Sequence, residues 1–133
     1  MQYVSWSPLF SVKNAHIDHQ HKRLFEIVNE FHSAYKAKEN RDYIFSILNR
    51  LISYTEEHFQ DEEKLMRASG CPADLLENHI KEHEKLIEDI FQLNSDLVAG
   101  KNKSLSELER FFDKWLIQHV LEEDKQYLDY VNK

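Results

Sequence analysis

The chain is poor in cysteine, glycine and proline. Cys71 is its single cysteine, so no internal disulfide can form and no thiolate cluster can hold a metal. Two glycines and two prolines in 133 residues supply little of the turn chemistry that a many-stranded fold requires, which leaves long helices as the expectation. No apolar run approaches the ~20 residues of a membrane span. The opening MQYVSWSPLFSVKNAH has no basic stretch followed by an apolar one. Cations are scarce as well. Seventeen Lys and Arg against 24 Asp and Glu give a formal charge of −7, which repels phosphate backbones and anionic membrane surfaces. A soluble, cytoplasmic chain of one domain over 1–133, with neither nucleic-acid nor membrane partners, is expected; its length suffices for one real core. Against these absences stand eight histidines.

Apolar residues recur at helical spacing in four stretches. The first covers about 18–37, with Leu24, Phe25, Val28, Phe31 and Tyr35 on one face. The second covers about 42–68, with Ile44, Ile47, Leu48, Leu51, Ile52 and Leu65, and Ser69-Gly70-Cys71-Pro72 stops it. The third covers about 73–99 and ends at Gly100. The fourth covers about 104–131, opened by a capping box of Ser104 and Glu107. Short connections between long helices favour antiparallel neighbours, so the expected fold is all-α, an up-down-up-down four-helix bundle. Residues 1–16, with Tyr3, Trp6, Leu9 and Phe10, are too aromatic for a free tail and are expected to pack as an ordered N-terminal arm.

Several histidines fall in core phase. His79 and His83 are four residues apart, in register with Leu76, Leu86 and Ile90; His58 and Glu62 share that spacing on the stripe of Leu51 and Leu65. His119 follows Trp115 by one turn and precedes the pair Glu123-Asp124, and His21 precedes Leu24 and Phe25. Any one of these alone reads as a hydrogen-bonded core histidine. Five inward imidazoles with two carboxylates do not, because each buried ionised carboxylate costs several kcal/mol unless it is compensated. A metal centre compensates them together. Seven donors exceed the four of a tetrahedral zinc and suit two octahedral ions sharing carboxylates, while imidazole and carboxylate leave iron, manganese, copper and zinc all open.

The pattern of His21, His58-Phe-Gln-Asp-Glu62, His79-Ile-Lys-Glu-His83 and His119-Val-Leu-Glu-Glu-Asp124 resembles the bacterial hemerythrins, one signature per helix and in order over nearly the whole chain. The resemblance implies a non-haem centre of two iron ions. His79, His83 and His119 would bind one iron, His21 and His58 the other, and Glu62 and Asp124 would bridge them with an oxo or hydroxo group. The iron with two histidines keeps a position open for dioxygen, which takes electrons from the pair and returns them on release. Leu24, Phe59, Trp115, Leu116 and Val120 neighbour the ligands; core packing alone explains them, and the resemblance adds that they line a dioxygen pocket. Helix geometry alone prefers Glu123 to Asp124, since four residues return to one face and five turn by ~140°; the resemblance selects Asp124.

Of the other histidines, His19 groups with Lys22 and Arg23 on the polar side, and His32 lies ~16 Å along the axis from His21, too far to share a metal. His16 precedes the first helix, belonging to its start or standing behind the site. Tyr127 reads as a buried tyrosine or a partner of a ligand. Reversible dioxygen binding, as a carrier or store and not as an enzyme, is the expected function. Four carboxylates and two histidines surround the irons of ferritin-like oxidases, whereas two carboxylates here neutralise the pair less and disfavour high-valent iron. The alternatives are an oxygen or redox sensor acting through a partner, and a diiron enzyme such as a peroxidase or iron-donating repair protein. Sensors of this family are usually fused to a signalling or membrane segment, which 133 residues do not carry. A protein partner receiving oxygen or iron is compatible with each reading.

Overall fold

The computed structural model describes residues 3–127 and Tyr130; for residues 120–124 and 127 it describes the backbone alone. The chain folds as a four-helix bundle of α1 (Ala15–Lys36), α2 (Arg41–Ala68), α3 (Ala73–Val98) and α4 (Leu105–Phe112), the last continued by a π-helix over Asp113–Glu123 and a 3-10 turn over Asp124–Tyr127. A short 3-10 turn, Pro8–Phe10, precedes α1. No strand occurs among the described residues.

Local chemistry sets the ends. Asn14 caps α1 by accepting from the Ile17 N–H at 3.1 Å, and Asp18 in its first turn accepts from Ser11 Oγ at 2.6 Å and the Val12 N–H at 2.9 Å. The helix therefore starts at Ala15, earlier than the periodicity suggests, and His16 stands in its first turn instead of before it. α1 ends on Lys38, a non-glycine residue at φ 55, whereas α2 and α3 end on Gly70 at φ 73 and Gly100 at φ 81. Ser104 and Glu107 form both bonds of the capping box, at 3.1 and 3.3 Å.

The fourth helix departs from the sequence expectation of one α-helix over 104–131. From Asp113 its backbone widens to the i→i+5 pattern, which is usually confined to single turns and concentrated at functional sites. The wide stretch carries Trp115, Leu116 and His119.

α1 packs against α2 and α4, and α2 against α3. Phe31, Ile47, Leu48, Leu51, Ile90 and Phe112 are fully buried between them, each worth roughly 1.5–3 kcal/mol of transfer free energy. Leu65, expected in the core, is only half-buried, and Met66 beside it fills the interior. The arm is tied down by polar contacts as much as by aromatic ones. The Val4 N–H donates to Asn29 Oδ1 at 2.8 Å and the Asn29 amide returns a bond to the Val4 carbonyl at 2.7 Å. Tyr3 stacks on His32 at 4.4 Å, its hydroxyl 2.7 Å from the Glu109 carbonyl and from Asp113 Oδ1. Burial first, then the Asp113 bond, push the Tyr3 phenol well up. Trp6 lies under Lys22, and Phe10 packs edge-on to Phe25. Leu9 does not join them: it is 74% exposed, because the Pro8–Phe10 turn presents it outward.

Among the described residues, no helix is long and apolar enough to cross a membrane. Antiparallel packing brings the start of α1, the end of α2, the start of α3 and the π-helical stretch to one level, and that level holds the buried polar residues.

Candidate metal centre

One carboxylate organises this level. Glu62 is fully buried, and its two oxygens face different helices. Oε1 lies 3.0 Å from His79 Nε2 and 2.8 Å from His83 Nε2, both on α3. Oε2 lies 3.3 Å from His58 Nε2, one turn back on α2, and 3.7 Å from His21 Nε2 on α1. The His21 and His58 rings meet Nε2 to Nε2 at 3.1 Å. His119, 5% exposed, closes the α3 side with its ring centroid 5.8 Å from that of His79 and 5.4 Å from that of His83.

Two donor sets result, each with its ligand atoms within 4.8 Å of one another: Glu62, His79, His83 and His119 in one, and His21, His58 and Glu62 in the other. Glu62 belongs to both, which is the placement of a carboxylate bridging two ions. Imidazole and carboxylate without thiolate suit iron, and the donors converge from all four helices at one depth, so the residues present fit a pair of ions. Burial alone would push the Glu62 carboxyl up; the charge of His58 and hydrogen bonds from His21, His58 and His79 outweigh it and hold the group well below the usual carboxylate range.

Six of the seven donors proposed from the sequence thus come together. The seventh, Asp124, and its competitor Glu123 have side chains outside the described residues, as do Val120 and Tyr127. The backbone bears on the choice between the two acids. Glu123 is the last residue of the π-helix and Asp124 the first of the 3-10 turn, so no single helical repeat relates either acid to His119. The ~140° offset that argued against Asp124 belongs to the α-helix.

The structure adds polar residues that sequence reasoning passed over. Gln20, 3% exposed, accepts from His58 Nδ1 at 2.8 Å and donates to Asp61 Oδ2 at 2.8 Å. Glu63 accepts from His83 Nδ1 at 2.8 Å. The Gln20 bond is the chief reason that Asp61 is held below its ordinary carboxylate range; the exposed His16, 3.3 Å away, adds to it. Gln20 had a legible signal, since it precedes Leu24 by one helical turn and so shares its buried face. His19 is exposed, and His32 is half-buried against Tyr3 and 2.9 Å from Glu109.

Apolar side chains wall the centre. Phe59 stacks face to face on His83, with centroids 3.9 Å apart and planes 1° from parallel, and its ring lies 5.4 Å from that of His119. Leu24, Trp115 and Leu116 are buried, and the indole N–H of Trp115 is satisfied by the Leu86 carbonyl at 2.9 Å. A groove of about 510 Å³ between α2 and α3 runs in from the surface to Phe59 and His83. The Phe59 ring therefore lines this groove beside the His83 donor.

Comparison with known proteins gives a consistent picture. The family model described as the hemerythrin HHE cation-binding domain matches residues 12–131. The chain is 31% identical to a bacteriohemerythrin of Pseudomonas aeruginosa, over 98% of this chain and 83% of the relative. It is 34% identical to one of Methylococcus capsulatus, over 96% and 95%. The crystal structure of a wild-type hemerythrin superposes with a TM-score of 0.85 at 32% identity, covering 98% of this chain and 99% of that one. A leucine-to-alanine variant of hemerythrin gives 0.86 at 31%, covering 100% of each.

Proposed function

Because the chain belongs to the hemerythrin family of HHE cation-binding domains, we propose that its buried histidines and carboxylates hold two iron ions which bind dioxygen reversibly, for carriage or storage. The observation that carries this reading is the placement of Glu62, whose two oxygens serve two separate histidine sets. His79, His83 and His119 hold one ion. His21 and His58 hold the other, which has fewer protein donors and so keeps room for dioxygen. Glu62 and Asp124 would be the carboxylates shared by the two ions, and an oxo or hydroxo group would complete the centre. When bound, the irons supply the electrons that make dioxygen binding reversible.

The chain's own residues decide that release prevails over reduction. Leu24, Phe59, Trp115, Leu116 and Val120 form the apolar lining. Bringing a proton or an anion across that wall costs desolvation, so the oxygen-loaded protein is protected from protonation and from displacement. With only two carboxylates the donor set also leaves more positive charge on the ions than a four-carboxylate site does, which disfavours their further oxidation. On this reading the chain is a binding protein and not an enzyme, placed in the cytoplasm, with dioxygen as its ligand and a protein that receives oxygen or iron as its partner.

Metal analysis tests the first step. Protein from iron-supplied cells is expected to hold two irons per chain, and stripping them with a chelator should lower the thermal midpoint, since a ligand held at a thousandfold excess over its Kd contributes about 4 kcal/mol. An unchanged midpoint after complete stripping would count against a buried centre. The choice of second bridge is tested separately. Asp124→Ala should abolish the absorption spectrum of the iron pair and Glu123→Ala should leave it intact; the reverse outcome would assign the bridge to Glu123.

A further inference from the structure

Five imidazoles gather about Glu62, and each presents one ring nitrogen to the donor cluster and has a second to be satisfied. For two of them the structure shows what that nitrogen meets, and the two partners differ in charge. His58 Nδ1 lies 2.8 Å from the amide oxygen of Gln20, and His83 Nδ1 lies 2.8 Å from Glu63 Oε2. We infer that Gln20 and Glu63 are positioning residues that fix which nitrogen of His58 and His83 meets the metal and make the two metal positions unequal in donor strength.

The proton assignment follows from hydrogen-bond capacity. The Gln20 amide gives its NH2 to Asp61 Oδ2 at 2.8 Å, so its oxygen is the end turned to His58. An amide oxygen only accepts; the His58 proton therefore sits on Nδ1, and Nε2 is the nitrogen left for an ion. Asp61 is itself held by His16 at 3.3 Å, so the orientation of Gln20 is anchored from the protein surface inward. A carboxylate likewise only accepts, and Glu63 fixes the His83 proton on Nδ1 in the same way. Each ring is thereby set with Nε2 toward Glu62, as its distances of 3.3 and 2.8 Å show.

The two partners then act unequally. A carboxylate acceptor draws the Nδ1 proton more strongly than a neutral amide does and makes the opposite nitrogen a better donor. His83 belongs to the set with His79 and His119, and His58 to the set with His21. The three-histidine position thus receives both more donors and the stronger one, and it should fill first. The two-histidine position is held by a ligand with a neutral partner and stays the weaker.

This inference rests on the two-metal reading above, and its test separates the two. The metal-stripped protein is titrated with zinc(II) alone against a competing chromophoric chelator, for the parent chain, Glu63→Gln, Glu63→Ala and Gln20→Met, with circular dichroism as the check on folding. The parent should take up two zinc ions in two resolved steps. Glu63→Gln keeps a hydrogen-bond acceptor without the charge and should weaken the tighter step by about 10-fold; Glu63→Ala should approach about 100-fold, each leaving the weaker step unchanged. Gln20→Met, close to the native volume, should weaken the other step by about 10-fold or more. In the zinc-loaded protein, the 15N shifts of His83 in the Glu63 variants and of His58 in Gln20→Met should move, which a merely structural role would not produce. A parent chain that takes up fewer than two zinc ions overturns both readings. A parent with two, and folded variants that match it in affinity and ring shifts, overturns this inference alone. Equal weakening of both steps by every variant also overturns it, since the assignment of one partner to each position would then be wrong.

Discussion

Glu62→Gln is expected to reduce iron from two per chain to less than one, the largest loss of any single substitution at the centre. The reason is geometric. Among the described residues Glu62 is the carboxylate that faces both histidine sets, with Oε1 near His79 and His83 and Oε2 near His58 and His21. An amide presents one neutral oxygen and an NH2 group that repels a cation, so one position loses its carboxylate and the other meets a donor hydrogen. The affinity loss should exceed the ~100-fold upper range for removing a partner that stands behind a ligand. His83→Ala should be milder and one-sided, because His83 belongs to the α3 set alone, and His79→Ala should resemble it. Iron determined per folded chain after equilibrium dialysis checks the ranking. Two tightly held irons in Glu62→Gln, or an unchanged content in both histidine variants, would show that the cluster is a hydrogen-bonded core and not a metal site.

Phe59→Ser should shorten the lifetime of the oxygen-loaded protein by about 10-fold or more while iron content stays near two. The Phe59 ring covers the face of His83 and also lines the groove between α2 and α3. Serine removes that cover and connects the groove's water with the centre. Each ~1.4 kcal/mol taken off the barrier to proton or anion entry multiplies the decay rate by ten. Leu116→Asn tests a second lining residue: it places a polar side chain at a residue that is 2% exposed while leaving every proposed ligand in place. Its effect should be smaller, because Leu116 is not among the residues lining the groove at Phe59. Decay is followed at constant temperature, with iron measured in the same samples. Lifetimes equal to the parent's would remove these residues from the pocket, and loss of iron with the lifetime would make them packing residues.

How much of this could be read from residues alone varies with the kind of interaction. The bundle and the inward phase of His58, Glu62, His79 and His83 follow from spacing within single helices, where one turn separates residues on a common face. The level at which they meet follows from antiparallel packing. Contacts set by tertiary geometry are not legible: the phase of Gln20 marks it as buried, but spacing within one helix names neither the Asp61–Gln20–His58 chain that joins α2 to α1 nor the reach of Glu63 from α2 to α3. The start of α1 at Ala15 is set by the Asn14 cap, and the residues between Asn14 and Asp18 show little apolar periodicity to announce it. Hydrophobicity alone puts Leu9 in the packed arm, but the 3-10 turn at Pro8 directs it to solvent. The widened backbone from Asp113 leaves no mark in the apolar spacing, and only at 3.6 residues per turn does Glu123 rather than Asp124 share the face of His119.

The central claim is reversible binding of dioxygen by a pair of irons, and an oxygen titration of the anaerobically reduced, iron-loaded protein tests it directly. One dioxygen should be taken up for each two irons. Lowering the oxygen pressure should return it in full, with the reduced spectrum restored and no reductant consumed. Uptake that cannot be reversed, or continuous oxygen consumption in the presence of a reductant, would contradict the account and make the centre an oxidase or peroxidase.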